Sequence, residues 1–140
     1  MTAYSWAILT ACIWGVVPIL EKMGLSHASP SGGLFYRTLG IFAGFIVFGF
    51  FIFKPEDIKA VDWRSIIFLV IGGFLASFLA QLTYYNGLKI CDVSKIVPIS
   101  ASYPLITFIL GILIFGENFS WVKGLGVLAV VCGIWAIKIG

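Results

Sequence analysis

Long stretches without a charged residue alternate along this chain with short polar breaks. Four of these stretches are Thr2–Leu20, Ser65–Leu88, Ile96–Gly116 and Gly124–Ile137. An apolar helix of about 20 residues is long enough to cross a bilayer. The pattern therefore predicts helices that span a membrane.

Proline, glycine and acidic residues divide the apolar pattern into five spans. The predicted spans cover approximately residues 3–20, 32–53, 63–87, 93–115 and 119–139. Pro30 and Pro55 fall in two of the breaks, and Asp62 and Asp92 precede spans at positions that suit a helix N-cap. Because every connection is short, the chain is predicted to be one all-α integral membrane domain over residues 1–140.

Composition supports lipid as the solvent of this chain. Hydrophobic residues make up 61% and charged residues 11% of the sequence, whereas a soluble domain has roughly 45–50% and about 25%.

The three cysteines are scattered and the basic residues form no patch, so we expect no metal, cofactor or nucleic acid. His27 is the only histidine and lies in a break, and no nucleophile, base and orienting group recur together, so an enzyme is not expected.

Positive charges are almost evenly divided between the two membrane faces. Five spans place the termini on opposite sides, with Lys54, Lys59, Arg64 and Lys123 on the N-terminal side. The other side has Lys22, Arg37, Lys89, Lys95 and Lys138. Orientation normally follows an excess of Lys and Arg on the cytoplasmic side. The near balance leaves two interpretations: the chain inserts both ways and pairs antiparallel with itself, or a partner protein imposes its orientation.

The fourth span contains two prolines six positions apart, Pro98 and Pro104. Each proline removes a backbone donor and frees a carbonyl one turn earlier, which allows the helix to bend. Ser100, Tyr103 and Thr107 lie at helical spacing along one stripe of this span. The stripe either faces a wet, substrate-binding cavity or belongs to a kinked helix whose hydroxyls bond to the preceding turn.

Polar residues in the other spans are further candidates for substrate contact. Ser77 and Gln81 form a stripe in the third span, with bonding between helices as the alternative role. Trp14 lies near mid-depth in the first span and either packs or offers a flat face to a solute. Arg37 lies inside the second span, where it would line a cavity, pair with Glu21 or extend to the headgroups.

The order of several motifs resembles the EamA family of the drug/metabolite transporter superfamily. Trp14-Gly15 followed by Lys22, and Pro30 followed by Arg37, resemble the family's opening pattern. The most extended similarity runs from Asp92 to Trp135, through Pro98, Tyr103-Pro104, Gly116-Glu117 and Gly126. Larger members carry two such units in ten helices with inverted topology. The resemblance therefore implies that this chain is one half of an inverted-repeat architecture.

The resemblance implies a transporter in the cell membrane, which is the inner membrane in a Gram-negative bacterium. We expect an exporter of small metabolites such as amino acids, working by alternating access as an antiparallel homodimer. One alternative is a proton-coupled multidrug exporter that uses Glu21 or Glu117. The distantly similar small multidrug resistance exporters carry a carboxylate midway along their first helix, where this chain has Trp14. Another alternative is a non-transporting subunit that needs a different partner.

Overall fold

The computed structural model describes residues 2–139, apart from the side chain of Phe50. Met1 and Gly140 belong to the predicted domain but lie outside the described residues. The described part of the chain is helical and contains no strand. Five helical segments are long and apolar enough to cross a membrane: Ala3–Leu25, Pro30–Gly49, Trp63–Ile90, Val93–Phe115 and Trp121–Ile139. The predicted all-α membrane fold with five spans is confirmed.

The described residues form eight α-helices and one π-helix. In chain order they are α1 (Ala3–Leu25), α2 (Pro30–Ile52), α3 (Pro55–Lys59), α4 (Trp63–Phe74), a π-helix (Leu75–Ala80), α5 (Gln81–Ile90), α6 (Val93–Ser100), α7 (Tyr103–Phe115) and α8 (Trp121–Ile139). The short helix α3 lies in the break between the second and third spans, where no helix was predicted.

Helix α1 continues to Leu25, beyond the end near Leu20 expected from hydropathy. Polar residues after Leu20 end the apolar stretch but not the helix, because Glu and Lys are good helix formers. The helix stops at Ser26, whose Oγ and N–H both donate to the carbonyl of Met23, at 2.6 and 3.3 Å. This additional turn and a half contains Glu21 and Lys22, which belong to the candidate functional site described below.

The third span begins with a capped turn and contains a wide turn near its middle. Asp62 accepts hydrogen bonds from the N–H and Oγ of Ser65, at 3.2 and 2.5 Å. These bonds favour the carboxylate and hold the pKa of Asp62 below its ordinary value of 3.8. Farther along, the π-helix Leu75–Ala80 separates α4 from α5. Such π-segments are rare and often lie at functional sites.

The fourth span is interrupted at Ala101 and Ser102, between its two prolines. Pro98 has no N–H to donate to the carbonyl of Ser94, and Pro104 has none for Ser100. Ser102 Oγ donates to the carbonyl of Ile99 at 2.7 Å within the interruption. Pro104 then lies in the first turn of α7, where a missing donor is tolerated.

The chain divides into two compact units, Met1–Lys89 and Ile90–Gly140. In the N-terminal unit, α1 packs against α2. Its buried apolar residues are Leu25, Leu34, Tyr85 and Leu88. In the C-terminal unit, α8 packs against both α6 and α7. There α7 ends at Phe115 and is capped by Gly116, whose φ of 63° is left-handed. The next N–H, of Glu117, donates to the carbonyl of Gly111 at 3.3 Å.

Candidate functional site

Glu21 is the centre of a polar cluster in the N-terminal unit. Its Oε1 accepts hydrogen bonds from the hydroxyl of Tyr85 at 2.8 Å and from Nε2 of Gln81 at 3.0 Å. Arg37 Nε lies 3.5 Å from the same oxygen. The side chains of Glu21 and Arg37 are only 11% and 30% exposed. A partly buried carboxylate is thus neutralised by a guanidinium and held by two neutral donors.

Three spans place these four side chains together. Glu21 lies in the last two turns of α1, and Arg37 lies two turns into α2, which begins at Pro30. Gln81 and Tyr85 are four residues apart on α5 and therefore share one face of that helix. Gln81 is the first residue after the π-helix, so the wide turn sets the rotation at which this face meets Glu21.

Two lysines join the C-terminal ends of α1 and α5. Lys22 Nζ donates to the carbonyl of Leu88 at 2.5 Å. Lys89 Nζ donates to the carbonyls of Leu25 and Ala28, at 2.5 and 2.9 Å. The last carbonyls of a helix lack partners within the helix and carry partial negative charge, so each ammonium group stabilises the end of the opposite helix.

Gly33 allows α2 to approach the buried residues beside the cluster. A Cβ at this position would lie 2.7 Å from Leu25 Cδ2 and 3.2 Å from Tyr85 Cε2. Leu25 and Tyr85 are each only 2% exposed, so a side chain at position 33 would have to displace buried atoms. The absence of a side chain at Gly33 therefore contributes to the position of Tyr85 against Glu21.

A cavity of about 610 Å³ lies beside the cluster. Its lining includes apolar residues of α1 and α2 together with the polar side chains of Glu21, Arg37, Tyr36 and Tyr85. Pockets for small molecules in proteins typically measure about 300–1,000 Å³ and combine an apolar wall with a few polar groups. The cavity therefore has the size and lining of a site for a small solute.

Two buried donors at this site lack a hydrogen-bond acceptor among the described residues. They are Nη1 of Arg37 and the hydroxyl of Tyr84. Buried polar atoms in native proteins are almost always paired, and each exception calls for an explanation. Arg37 itself lines the cavity, whereas its Nη1 is enclosed by protein atoms.

The other predicted residues of the first and third spans lie outside this cluster. Trp14 shares a helical face with Val17 and Glu21, but it is 62% exposed and does not line the cavity. Ser77 lies within the π-helix. No hydrogen bond found among residues 2–139 joins either residue to Glu21 or Arg37.

The predicted residues of the fourth span belong to the C-terminal unit. Tyr103 and Thr107 line a second cavity of about 550 Å³, together with Gly111 and Glu117. Ser100 is the last residue of α6 and borders the interruption between the prolines. Glu117 lies 4.0 Å from Lys123 in an exposed ion pair, with 58% of the Glu117 side chain accessible.

Sequence reasoning missed Tyr85 and the two lysine contacts as parts of the site, and it missed Pro18 as a point where α1 lacks a backbone donor. The spacing of four between Gln81 and Tyr85 was a usable signal, because it places both on one helical face. Pro18 lies inside α1 and has no N–H to donate to the carbonyl of Trp14. The lysine contacts had no signal of their own, since they depend on how far α1 extends.

The chain matches the model of the EamA-like transporter family over residues 1–139. An uncharacterized transporter in the cobO 3′ region of a Sinorhizobium species is 26% identical over 131 residues, which cover 91% of this chain and 90% of the relative. A protein of Proteus mirabilis named "Probable 4-amino-4-deoxy-L-arabinose-phosphoundecaprenol flippase subunit ArnF" is 24% identical, over 98% of this chain and 92% of its own length.

A longer relative matches this chain over less than half of the relative's own length. The Lactiplantibacillus plantarum protein named "Putative sugar uptake protein" is 31% identical over 127 residues. The match covers 89% of this chain but only 43% of the relative. No solved structure matches the chain.

Proposed function

Because the chain belongs to the EamA-like transporter family, we propose that the cavity beside Glu21 and Arg37 binds a small polar metabolite for transport across the cell membrane. The family and the five apolar spans make the protein a multi-pass membrane transporter. Its substrate, its direction of transport and its assembly are the subject of the proposal.

The pairing of Glu21 with Arg37 in the wall of the cavity is the observation that carries this proposal. Opposite charges lie 3.5 Å apart there, beside a hydroxyl and an amide. Charged side chains inside membrane spans are rare and usually mark a substrate or ion path. A zwitterion such as an amino acid presents the complementary pair of charges, so amino acids are the first candidates.

Sugars and their derivatives are a second candidate class. One relative is named for sugar uptake and another for a subunit of an aminoarabinose lipid flippase. The hydroxyl of Tyr85, the amide of Gln81 and the charged pair offer donors and acceptors for a hydroxyl-rich solute. The names of these relatives, rather than the geometry, favour this class.

The cluster is less suited to a cationic drug. Arg37 neutralises Glu21, so the pair presents no net negative charge to a cation. Glu117 is more accessible and is paired only across 4.0 Å with Lys123. In a proton-coupled multidrug exporter, Glu117 would therefore be the more suitable carboxylate.

We further propose an exporter that works by alternating access as an antiparallel homodimer. The near-equal distribution of Lys and Arg between the two faces supports insertion in both orientations. Inverted repeats around a midplane site are a common design of secondary transporters. Trp14, Ser77, Ser100, Tyr103 and Thr107 stay predicted substrate contacts, and Pro98 and Pro104 stay predicted bending points.

The test is uptake and counterflow in proteoliposomes with radiolabelled amino acids, neutral sugars and a quaternary ammonium dye. We expect transport of an amino acid or a sugar, and a decrease on the order of tenfold in Glu21→Gln, because a charge-assisted network is lost. Glu56→Gln, in α3 outside the spans, is the matched control and should retain the wild-type rate. Transport of the dye alone would favour multidrug export, and no transport at all would favour a subunit that needs another partner.

A further inference from the structure

A small groove lies between the C-terminal half of α8 and the interrupted fourth span, within the C-terminal unit. Its volume is about 260 Å³, which is below the roughly 300–1,000 Å³ of typical solute pockets. Its apolar lining residues are Ile99, Leu105, Val131, Ile134 and Trp135. Its polar lining residues are Ser102 and Lys138. The groove therefore has room for one extended hydrocarbon chain rather than for a whole solute.

The groove follows α8 from the membrane surface toward the middle of the bilayer. Lys138 lies in the last turn of α8, and Val131 lies seven residues before it. At a rise of 1.5 Å per residue, the two positions are about 10 Å apart along the helix axis. One leaflet of a hydrocarbon core of about 30 Å is about 15 Å deep. The groove thus lies within one leaflet and has Lys138 at its headgroup end.

The headgroup end of the groove presents a cation beside an aromatic ring. Nζ of Lys138 lies 5.1 Å from the centre of the Trp135 ring, and Trp135 is 59% exposed. Tryptophan is enriched at the membrane interface, and lysine extends its ammonium group to the headgroups. The ion pairs found among residues 2–139 place no carboxylate within 4.0 Å of this ammonium group. An anionic headgroup would therefore supply the opposite charge.

The inner part of the groove suits an apolar ligand. Ser102, the polar lining residue in this part, donates its Oγ hydrogen bond to the carbonyl of Ile99 at 2.7 Å and is already paired. The facing residues of α8, Val131 and Ile134, are aliphatic. A polar solute placed here would lose its hydrogen bonds to water without replacement, which is costly. A hydrocarbon chain has no such groups to satisfy.

We propose that this groove holds one acyl chain of an anionic phospholipid whose phosphate lies at Lys138. A lipid presents its phosphate and its chain at the two depths where the groove presents the ammonium group and the aliphatic wall. A zwitterionic lipid carries a cation of its own and gains less from Lys138. A helix of a second copy would fill the groove with side chains and would need no anion at Lys138. The site does not depend on the proposed transport function.

Native mass spectrometry of the purified full chain in detergent tests the preference for an anionic lipid. The probes are phosphatidylglycerol and phosphatidylcholine with identical acyl chains. We expect the first phosphatidylglycerol molecule to bind about fivefold more tightly, which is the factor that one lysine near the membrane surface contributes. Lys138→Gln should bring the two affinities together. Lys123→Gln, in the first turn of α8 at its opposite end, is the matched control and should keep the preference.

Val131→Phe tests the apolar part of the groove. The larger side chain would fill the space beside Ile134, so the affinities for both lipids should fall severalfold. Val130→Phe is the matched control, because Val130 is 47% exposed and does not line the groove. If Val131→Phe does not fold, Lys138→Gln still decides the question, since Lys138 is exposed and close to the end of α8.

Three results would overturn the inference. The first is equal affinity of the wild type for the two lipids, and the second is an unchanged preference in Lys138→Gln. The third is unchanged lipid affinity in Val131→Phe. If that variant also loses a dimer that the wild type forms, the groove belongs to an interface with a second copy.

Discussion

At the scale of single residues, Tyr85 joins the polar cluster to the buried apolar residues. Its ring is 2% exposed and lies against the position where a Gly33 side chain would begin. Its hydroxyl donates to Glu21 at 2.8 Å. The same side chain therefore packs α5 against α2 and orients the carboxylate on α1.

Tyr85→Phe separates these two roles because it keeps the ring and removes the hydroxyl. Loss of one hydrogen bond to a charged acceptor should lower the free energy of unfolding by about 1.5–3 kcal/mol. The measurement is denaturation of the purified protein in detergent, followed by circular dichroism. Tyr4→Phe, at a site that is 82% exposed, should match the wild type. An equal loss in both variants would show that the Tyr85 hydroxyl contributes nothing specific.

Gly33→Ala tests the close approach of α2 to the same ring. The added methyl group would meet Leu25 and Tyr85 at 2.7 and 3.2 Å. Overpacking costs about 1–3 kcal/mol, and replacing Gly by Ala within a helix returns up to about 1 kcal/mol. We expect a lower melting temperature for Gly33→Ala than for Gly40→Ala. Among the described residues, a Cβ at Gly40 would have no atom within 4 Å other than those of its chain neighbours and of its own helix backbone. The reverse order would contradict the packing.

The candidate site was predictable from the sequence only in part, and the reason lies in helix rotation. Glu21 and Arg37 flank one short connection, so a contact between them was a natural expectation. Tyr85 required knowledge of which face α5 turns toward α1. The π-helix before Gln81 sets that face. The segment Leu75–Ala80 contains no proline or glycine from which the π-helix could have been predicted.

At the scale of elements, two spans depart from regular α-helix in different ways. The third span widens into a π-helix, and the fourth is interrupted at Ala101 and Ser102. The interruption lies between Pro98 and Pro104, which lack the donors for the carbonyls of Ser94 and Ser100. Breaks in a spanning helix are tolerated where protein or a water-lined cavity satisfies the freed groups. Such points are also where a helix bends with least cost.

The variant Pro98→Ala/Pro104→Ala should restore a continuous helix through the fourth span. Two backbone donors return, so stability and purification yield should be retained or improved. Transport in proteoliposomes should fall severalfold if bending at this point accompanies the change of access. Pro55→Ala, in the first turn of α3 outside the spans, is the matched control. Full transport in the double variant would show that the interruption does not move.

At the scale of the whole molecule, the number of spans was predictable because lipid imposes one requirement on every segment. A backbone in a bilayer must satisfy its polar groups internally, so an apolar stretch of about 20 residues forms a helix. That requirement acts on each span separately. It contains no information on how spans rotate against one another or where polar ends continue the helix, as α1 does to Leu25. The membrane fold was therefore more predictable than the site.

Dual orientation is the prediction that the charge distribution makes for the whole chain. Four basic residues are assigned to one face and five to the other, and Arg37 of the larger set contacts Glu21 inside a span. With so small a bias, the chain should insert in both orientations when it is expressed alone.

The test replaces Cys12, Cys91 and Cys132 by serine and introduces Thr2→Cys or Ala60→Cys, two positions on the same predicted face. A membrane-impermeant maleimide should label part of each variant from outside intact cells and the rest only after the cells are opened. Two lysines added beside Thr2 should convert this to labelling from one side. If both cysteine variants without the added lysines are labelled from one side only, an antiparallel homodimer is excluded. That result would favour a partner that imposes the orientation.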